Sequence, residues 1–342
     1  MIAMSEKLAT GALDDLGFQF APQVVVSTAL KAGIFSAIVN GAKGVGNIAA
    51  ATECSERGIG MVLNCLAAMG LLEKENERYE LNQISRNYLL PSSENYLGPL
   101  FLCCDRMLRL WLTLPEAVRT GKPTLSIFTE EEKEKFNLDT VDALFQVHKP
   151  YAWRLAEFLT RDVSLNLGEE SAIKILDVAA GSAVWSIPLA LRLKKAEVTA
   201  VDLVPVLDVA RKYARQSEVE ERYRFIGGDI RVIDFGGDGY DLVLLGHICH
   251  SEGAQWSRGL IGKCFRALRQ KGRLLIMDYL PDEERESGLS PALMAVHALL
   301  GTDEGDTFSF SQYEKWLLEA GFIDAQRIKV NDHSPIIMGL KG

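Results

Sequence analysis

Residues 173–183 read Ile-Lys-Ile-Leu-Asp-Val-Ala-Ala-Gly-Ser-Ala. Ile173–Val178 is a short apolar run, the pattern of a strand buried on both faces of a parallel sheet. The five residues that follow are all small, which lets a backbone turn approach a ligand closely before the next helix starts. A strand, a small-residue turn and a helix start form the cradle in which α/β sheets hold nucleotide-like ligands.

Outward from this stretch, strand and helix patterns alternate. Helix to about Lys195, strand Glu197–Asp202, helix Pro205–Gln216, strand Tyr223–Gly227, strand Tyr240–Gly246 and helix Gln255–Gln270 follow in turn. Strand Gly272–Tyr279, helices Pro291–Leu300 and Ser311–Ala320, and a closing antiparallel hairpin of Ile323–Val330 with Pro335–Leu340 complete the half. Such alternation predicts a mostly parallel sheet covered by helices on both faces.

Three acids fall at the expected strand ends: Asp177, Asp202 and Asp229. Asp202 is placed to accept from ribose hydroxyls and Asp229 from an adenine amino group, while Asp177 can serve backbone amides or a cationic ligand tail. A dinucleotide needs a G-x-G-x-x-G turn that brings pyrophosphate onto a helix N-terminus. Here the turn has one glycine and acidic company, which repels a pyrophosphate and favours a sulfonium. S-adenosylmethionine (SAM) is the expected cofactor.

The 342 residues carry a net charge of −9 with 48% hydrophobic residues, which bounds a globular protein of about two domains with little affinity for nucleic acid or anionic membrane. No signal peptide and no span near the roughly 20 apolar residues of a membrane helix are read. The six cysteines form no C-x-x-C pair, so a reduced, cytoplasmic protein is expected. His247, Cys249 and His250 stand close in sequence, but nothing nearby completes a metal's ligand set; no metal is expected.

The first hundred residues read as helices (Gly17–Val39, Asn47–Ala51, Ser55–Met69, with Ser55 as N-cap) followed by a strand–turn–strand over Gly70–Leu81. That is a winged-helix order. Seven Lys or Arg against ten Asp or Glu in residues 1–100 leave few phosphate contacts for DNA. An interaction module is the better reading, with Val24-Val25-Val26 and Val62–Leu66 as apolar runs suited equally to packing between subunits or to a core within the chain. Beyond it, Leu97–Thr120 and Asp139–Leu159 are amphipathic helices rich in large side chains, Glu130–Lys135 is a solvated helix start, and residues 166–171 form a linker.

With these motifs in order (GLLEKENERYEL, ILDVAAGSA, AVDLVPVLDVA, GGDI, YDLVLLGHICH, ALRQKGRLLIMDYL and FSFSQYEKWLLEAGF), the chain resembles the SAM-dependent small-molecule O-methyltransferases of bacterial natural-product and plant phenolic type. The resemblance spans about residues 15–340. It implies a Rossmann-like class I methyltransferase sheet (α/β) with a mostly helical N-terminal winged-helix dimerisation domain. Three regions are expected: 1–100 for dimerisation, 101–170 as helical linker and pocket roof, and 171–342 as the catalytic domain. A homodimer is implied.

The resemblance places SAM at Asp177, Ala179, Gly181, Ala183, Asp202, Leu203, Asp229 and Ile230. It places the general base at His250 and its carboxylate partner at Asp278. Family layout with helical spacing gives the acceptor pocket Met107, Trp111, Phe145, His148, Met294, His297 and Ala298. The chain departs from the family in three places. Ala179 and Ala183 replace glycines; Ser251 and Glu252 replace the usual Asp-Trp, with Trp256 close by; and Thr307, flanked by Glu304 and Asp306, replaces a catalytic glutamate. The expected activity is methyl transfer to a hydroxyl of a small aromatic or polyketide-like molecule. A SAM-binding relative turned to C- or N-methylation, and a DNA-binding regulator, are the alternatives.

Overall fold

Parallel strands that alternate with helices must stack into one sheet with its faces covered, and the computed structural model shows this arrangement. It describes residues 17–161, 172–285, 288–328 and 335–342; the expected linker 166–171 and the end of the expected strand 323–330 fall outside them. The chain forms two compact units, residues 1–108 and 109–342. Of the expected 101–170 region, residues 101–108 therefore group with the first unit and residue 109 onward with the second.

The first unit holds α1 (Ala21–Lys31), α2 (Ile34–Val39), α3 (Val45–Ala51), α4 (Glu56–Ala68), the hairpin β1 (Leu72–Glu75) and β2 (Arg78–Leu81), α5 (Gln83–Tyr88), α6 (Gly98–Leu102) and the start of α7 (Cys104–Trp111). Helix, helix and hairpin thus follow the expected order. The Ser55 hydroxyl caps α4 by accepting from the Gly58 N–H. Of the two readings of the apolar runs, the one within the chain holds for most of their residues. Val26, Leu63 and Leu66 are buried with Ile34, Phe35 and Tyr79, and Val25 and Val62 pack against them.

In the second unit, α8 (Leu114–Thr120) is followed by α9 (Glu130–Arg161), which is one helix rather than a charged start and a separate segment. Then come β3 (Lys174–Val178), α10 (Ile187–Arg192), β4 (Glu197–Asp202), α11 (Val204–Gln216), β5 (Tyr223–Gly227), β6 (Tyr240–Gly246), α12 (Cys249–Ala267), β7 (Leu268–Met277), α13 (Leu289–Gly301), α14 (Phe310–Ala320), β8 (Phe322–Ile328) and β9 (Ile336–Lys341). The seven strands lie in the order β5-β4-β3-β6-β7-β9-β8. The first five are parallel, and β9 runs antiparallel between β7 and β8.

Side chains alternate across the sheet with period two. Ile175, Leu242, Leu244 and Leu275 enter one core with Leu155 and Leu159 of α9 and Ala210 and Tyr213 of α11. Leu176, Val178, Val243, Leu245 and Leu274 enter the other with Ile261 of α12 and Leu317 of α14. Each such leucine contributes about 1.5–3 kcal/mol of burial. The strand order reverses between β3 and β6, so the crevice at their carboxyl ends is where a ligand is expected in an open α/β sheet.

The turn expected over residues 179–183 is followed by α10 from Ile187. One helix start moves relative to the sequence reading. Helix α12 starts at Cys249 and kinks at Gly253 (φ 78°). A side chain at Gly253 would put its Cβ 2.6 Å from the Glu304 carbonyl oxygen, so the kink needs glycine. His250 therefore stands in the first turn of a helix, not at a strand end.

Candidate active site

The turn after β3 alternates its backbone. Ala179, Gly181 and Ala183 have φ of 53°, 56° and 57°, the left-handed region where a Cβ is disfavoured. The glycine-rich turn expected from the family is thus preserved as a conformation, with two alanines held in it. Hydrogen bonds explain how. Asp202 at the end of β4 accepts from the Gly181 N–H (2.8 Å) through Oδ2 and from the Leu203 N–H (2.7 Å) through Oδ1. Its carbonyl accepts from Gly228 N–H (2.9 Å), and Val201 O accepts from Ala180 N–H (3.2 Å). Three strand ends are tied together through one acid.

Asp177 is buried beneath the turn and accepts from the Ser186 hydroxyl, which also receives the Tyr223 hydroxyl (3.0 Å). Burial pushes Asp177 up to about 7, with the Ser186 bond opposing and the neighbouring Asp202 charge adding. Burial also raises Asp202, against its two N–H donors. Carboxylates held up by desolvation gain from a cation or hydroxyl donors, and SAM carries an ammonium, a sulfonium and ribose hydroxyls. A Cβ at Gly181 would meet Val141 of α9 at 3.8 Å, so α9 passes over the turn. These residues fit SAM. At the expected adenine end, Leu203 and Asp229 are exposed, and Asp229 accepts from the Arg231 N–H (2.8 Å). Ile230 instead leans on the second core. Trp256 has the Arg231 guanidinium over its ring at 4.7 Å, and Arg231 pairs with Glu252 at 3.0 Å.

Asp278 is the first residue past β7 and is fully buried. Its Oδ1 lies 2.7 Å from His250 Nδ1 and accepts the Tyr279 N–H (2.9 Å), while Oδ2 accepts the His250 N–H (3.0 Å) and the Tyr313 hydroxyl (2.9 Å). Burial alone would raise this acid. The charge and hydrogen bond of the His250 ring, then His247 and the Tyr279 N–H, outweigh it and hold Asp278 below the ordinary carboxylate range. Accepting the His250 N–H also lets the carboxylate satisfy an otherwise unpaired amide at the start of α12.

A wall of rings adjoins this pair. The His247 ring is 6.3 Å from that of His250 and 5.1 Å from Tyr279, and stacks on His148 of α9 at 4.3 Å. Trp185 flanks both His148 (5.8 Å) and His247 (5.9 Å). His247 has φ 56°, a strained value for a side chain of its size. Burial holds His148 down at about 4, with repulsion from His250 adding; burial likewise lowers His247 and His297. His297 stacks on Trp111 at 6.1 Å.

The other expected pocket residues have these surroundings. Phe145 is a core residue, its ring stacked on Tyr213 at 3.5 Å. Ala298 is buried against the turn at Gly305, and Met294 of α13 is half-buried. Met107 belongs to the first unit, where it is half-buried. In the loop that should supply a glutamate, Asp306 is gripped by both Arg285 nitrogens at 3.0 Å, Thr307 is buried and Glu304 is exposed. That loop reaches His250 by backbone, Asp306 N–H donating to the His250 carbonyl at 2.9 Å.

The sequence reading passed over Ser186, Trp185, Tyr279 and Tyr313. Only Tyr279, adjacent to Asp278, carried a local signal. Donor atoms of His247, His250 and Asp278 lie within 4.8 Å of one another. The Asp278 oxygens already accept four N–H and O–H groups, the environment of an anion orienting an imidazole. Cys249, grouped with the histidines in sequence, is buried with its thiol pushed well up.

Comparison with known proteins places this geometry in context. Residues 15–91 match the O-methyltransferase dimerisation domain and residues 175–272 a methyltransferase domain. The chain is 26% identical to the 3-hydroxy-5-methyl-1-naphthoate 3-O-methyltransferase of Streptomyces sahachiroi, over 93% of this chain and 90% of that one. It is 25% identical to the tetracenomycin polyketide synthesis 8-O-methyl transferase TcmO of Streptomyces glaucescens, over 92% and 91%. The fold matches human N-acetylserotonin methyltransferase in complex with SAM, with a TM-score of 0.83, 22% identity and full coverage of both chains. The chain belongs to the SAM-dependent O-methyltransferases of natural-product type, and its cofactor is S-adenosylmethionine.

Proposed function

We propose that this enzyme methylates a hydroxyl of a small aromatic or polyketide-like molecule, with His250 as general base. The observation that carries the reading is the clamp of Asp278 on His250. Because Asp278 accepts the Nδ1 proton, the tautomer presents a bare Nε2 lone pair. Nε2 takes the acceptor hydroxyl's proton as the oxygen becomes nucleophilic, and Asp278 stabilises the imidazolium that forms. Bound SAM supplies a methyl already activated on sulfur. Asp177, Gly181, Asp202 and Asp229 hold that cofactor, and α9 excludes water above the turn.

The first unit pairs with a second copy. Supporting this, it matches a dimerisation domain and exposes the large apolar side chains Phe18, Phe20, Val39, Met61, Ile84 and Tyr88. Its unpaired cysteines support the reading of a cytoplasmic protein. Among the described residues no helix is long and apolar enough to cross a membrane.

Titration calorimetry with SAM and S-adenosylhomocysteine, followed by labelled-methyl transfer to a panel of phenols, tests the proposal. Both ligands should bind, and His250→Ala should keep that binding while losing about 10²-fold or more in transfer. Absence of binding to either ligand refutes the cofactor site, and wild-type turnover in the variant moves the base elsewhere.

A further inference from the structure

Four donors converge on the Asp278 carboxylate: the His250 ring, the His250 N–H, the Tyr279 N–H and the Tyr313 hydroxyl. Three of them belong to the base itself or to the residue after the acid. The fourth comes from α14, and Tyr313 is completely buried there. Its ring stands edge-on to Phe308 (6.1 Å) and Trp316 (5.3 Å), a setting that a phenylalanine ring would fill as well. Packing therefore does not demand the hydroxyl, and burying one costs free energy unless it is bonded. Here it is bonded at 2.9 Å to the same Oδ2 that receives the His250 N–H. The Cys249 thiol meets this hydroxyl as well. Thiol, phenol, carboxylate and imidazole thus form one chain of hydrogen bonds, in which each bond polarises the next.

The helix that presents Tyr313 is pinned at its start. Ser309 and Gln312 cap it reciprocally, and Glu283 accepts from the Ser309 hydroxyl (2.7 Å) and the Ser311 N–H (3.2 Å). Tyr313 follows one turn on, its N–H donating to the Ser309 carbonyl at 3.2 Å.

We infer that Tyr313 is a positioning residue for methyl transfer: by donating to Asp278 it spreads that anion's charge and limits how tightly a protonated His250 is held. The inference rests on the reading of His250 given above. A general base must take the acceptor's proton and then release it. With its Oδ2 lone pair left bare, Asp278 would hold the imidazolium more tightly and leave less neutral imidazole for the next turnover. The phenol stays a donor throughout, because burial and the Asp278 charge keep its proton on well above the ordinary tyrosine range. The other groups that face His250 are His247 just past β6, His148 of α9, His297 of α13 and the Tyr279 ring at 5.5 Å. Burial keeps those three imidazoles neutral. Asp306, whose N–H meets the His250 carbonyl, has its carboxylate paired with Arg285. Asp278 is therefore the anion that governs the proton on His250, and Tyr313 is the side chain that tempers it from outside the pair.

The test titrates the full chain by NMR from pH 5 to 9, with its histidines labelled with carbon-13 at Cε1. The His250 resonance is the one missing from His250→Ala. In Tyr313→Phe the His250 midpoint should rise by about 0.5–1 pH unit, the charge-sharing of one hydrogen bond. In Asp278→Asn it should fall, and the double variant should titrate like Asp278→Asn, because the tyrosine acts through the acid. The acid limb of kcat/KM for any phenol that the wild type methylates should move in step with the midpoint. If Tyr313→Phe does not fold, 3-fluorotyrosine at position 313 decides: it is a more acidic donor of nearly the same shape and should lower the midpoint. Overturning results are a midpoint that does not move, a rise that persists in the Asp278→Asn background, or an equal rise in every histidine, which marks general repacking. Wild-type transfer by His250→Ala refutes the base reading, and this inference with it. An unmoved midpoint in Tyr313→Phe combined with inactive His250→Ala refutes this inference alone.

Discussion

Asp278 grips His250 at two points, ring Nδ1 at 2.7 Å and backbone N–H at 3.0 Å, one on each carboxylate oxygen. The same residue therefore sets the tautomer of the base and anchors the first turn of the helix that carries it. Tyr313, 35 residues away, adds its hydroxyl to Oδ2 from α14, so three elements converge on one anion.

Asp278→Asn should separate these duties. An amide of the same shape accepts through one atom only, so one of the two His250 contacts faces an NH₂ donor. The imidazole is then released from the tautomer that exposes Nε2. Methyl transfer should fall by about 10²–10⁴-fold, while S-adenosylhomocysteine affinity, seated on β3 and β4, stays near wild type. Transfer kinetics and calorimetry on one preparation decide it: a variant with full turnover shows that the tautomer is not held by Asp278.

Acid stability should follow the histidines. His148 is held down at about 4, whereas an unfolded histidine titrates near 6.5. Between those values the unfolded chain binds the proton and the folded chain resists it. This contribution is therefore intact above pH 6.5 and is lost as the pH falls toward 4. His247 and His297, also lowered, act with the same sign. Asp177 acts oppositely. Raised to about 7 when folded, against about 3.9 unfolded, it keeps a proton that the unfolded chain has released, so its contribution declines as pH rises through that window. Urea midpoints from pH 5 to 8 should show a weaker acid loss in His148→Phe and a weaker decline toward pH 7 in Asp177→Asn. Superimposable curves for all three proteins would refute both assignments.

What could be read ahead of the structure follows from how strongly physics constrains each segment. Strands such as Leu176–Val178 and Leu242–Leu245 are buried on both faces, so their composition alone marks them, and the acids at their ends stand out against it. The turn over residues 179–183 is legible from its small side chains, but the bond from the Gly181 N–H to the Asp202 carboxylate that holds it joins two strand ends and leaves no local sign. Phe145 and His148 fall on one helical stripe, and spacing cannot tell which meets Tyr213 and which meets His247. Val62–Leu66 reads equally as interface or core, because an apolar run has the same signature whether its partner is another subunit or its own chain, and only the structure shows Leu63 and Leu66 in the core. Tyr313 gave no local sign, since its partner Asp278 lies 35 residues away, just past the end of β7.

The alanines of the cofactor turn supply the last prediction. Ala179 is held at φ 53° and Ala183 at φ 57°, a region that costs an L-residue roughly 1–2 kcal/mol. Replacing alanine by glycine removes that cost but frees the unfolded chain by roughly 0.4–1 kcal/mol. The balance differs between the sites. Ala179 is only half-buried and loses little packing, so Ala179→Gly should stabilise the protein by about 0.5–1 kcal/mol. Ala183 is fully buried in the core beside Trp185 and Ile187, where deleting a methyl forfeits about 0.8 kcal/mol of burial, so Ala183→Gly should be neutral or mildly destabilising. Urea unfolding of both variants reads the difference directly. If Ala179→Gly is the less stable of the two, the turn stores no strain at Ala179, and the alanine is held there by contacts rather than in spite of its backbone.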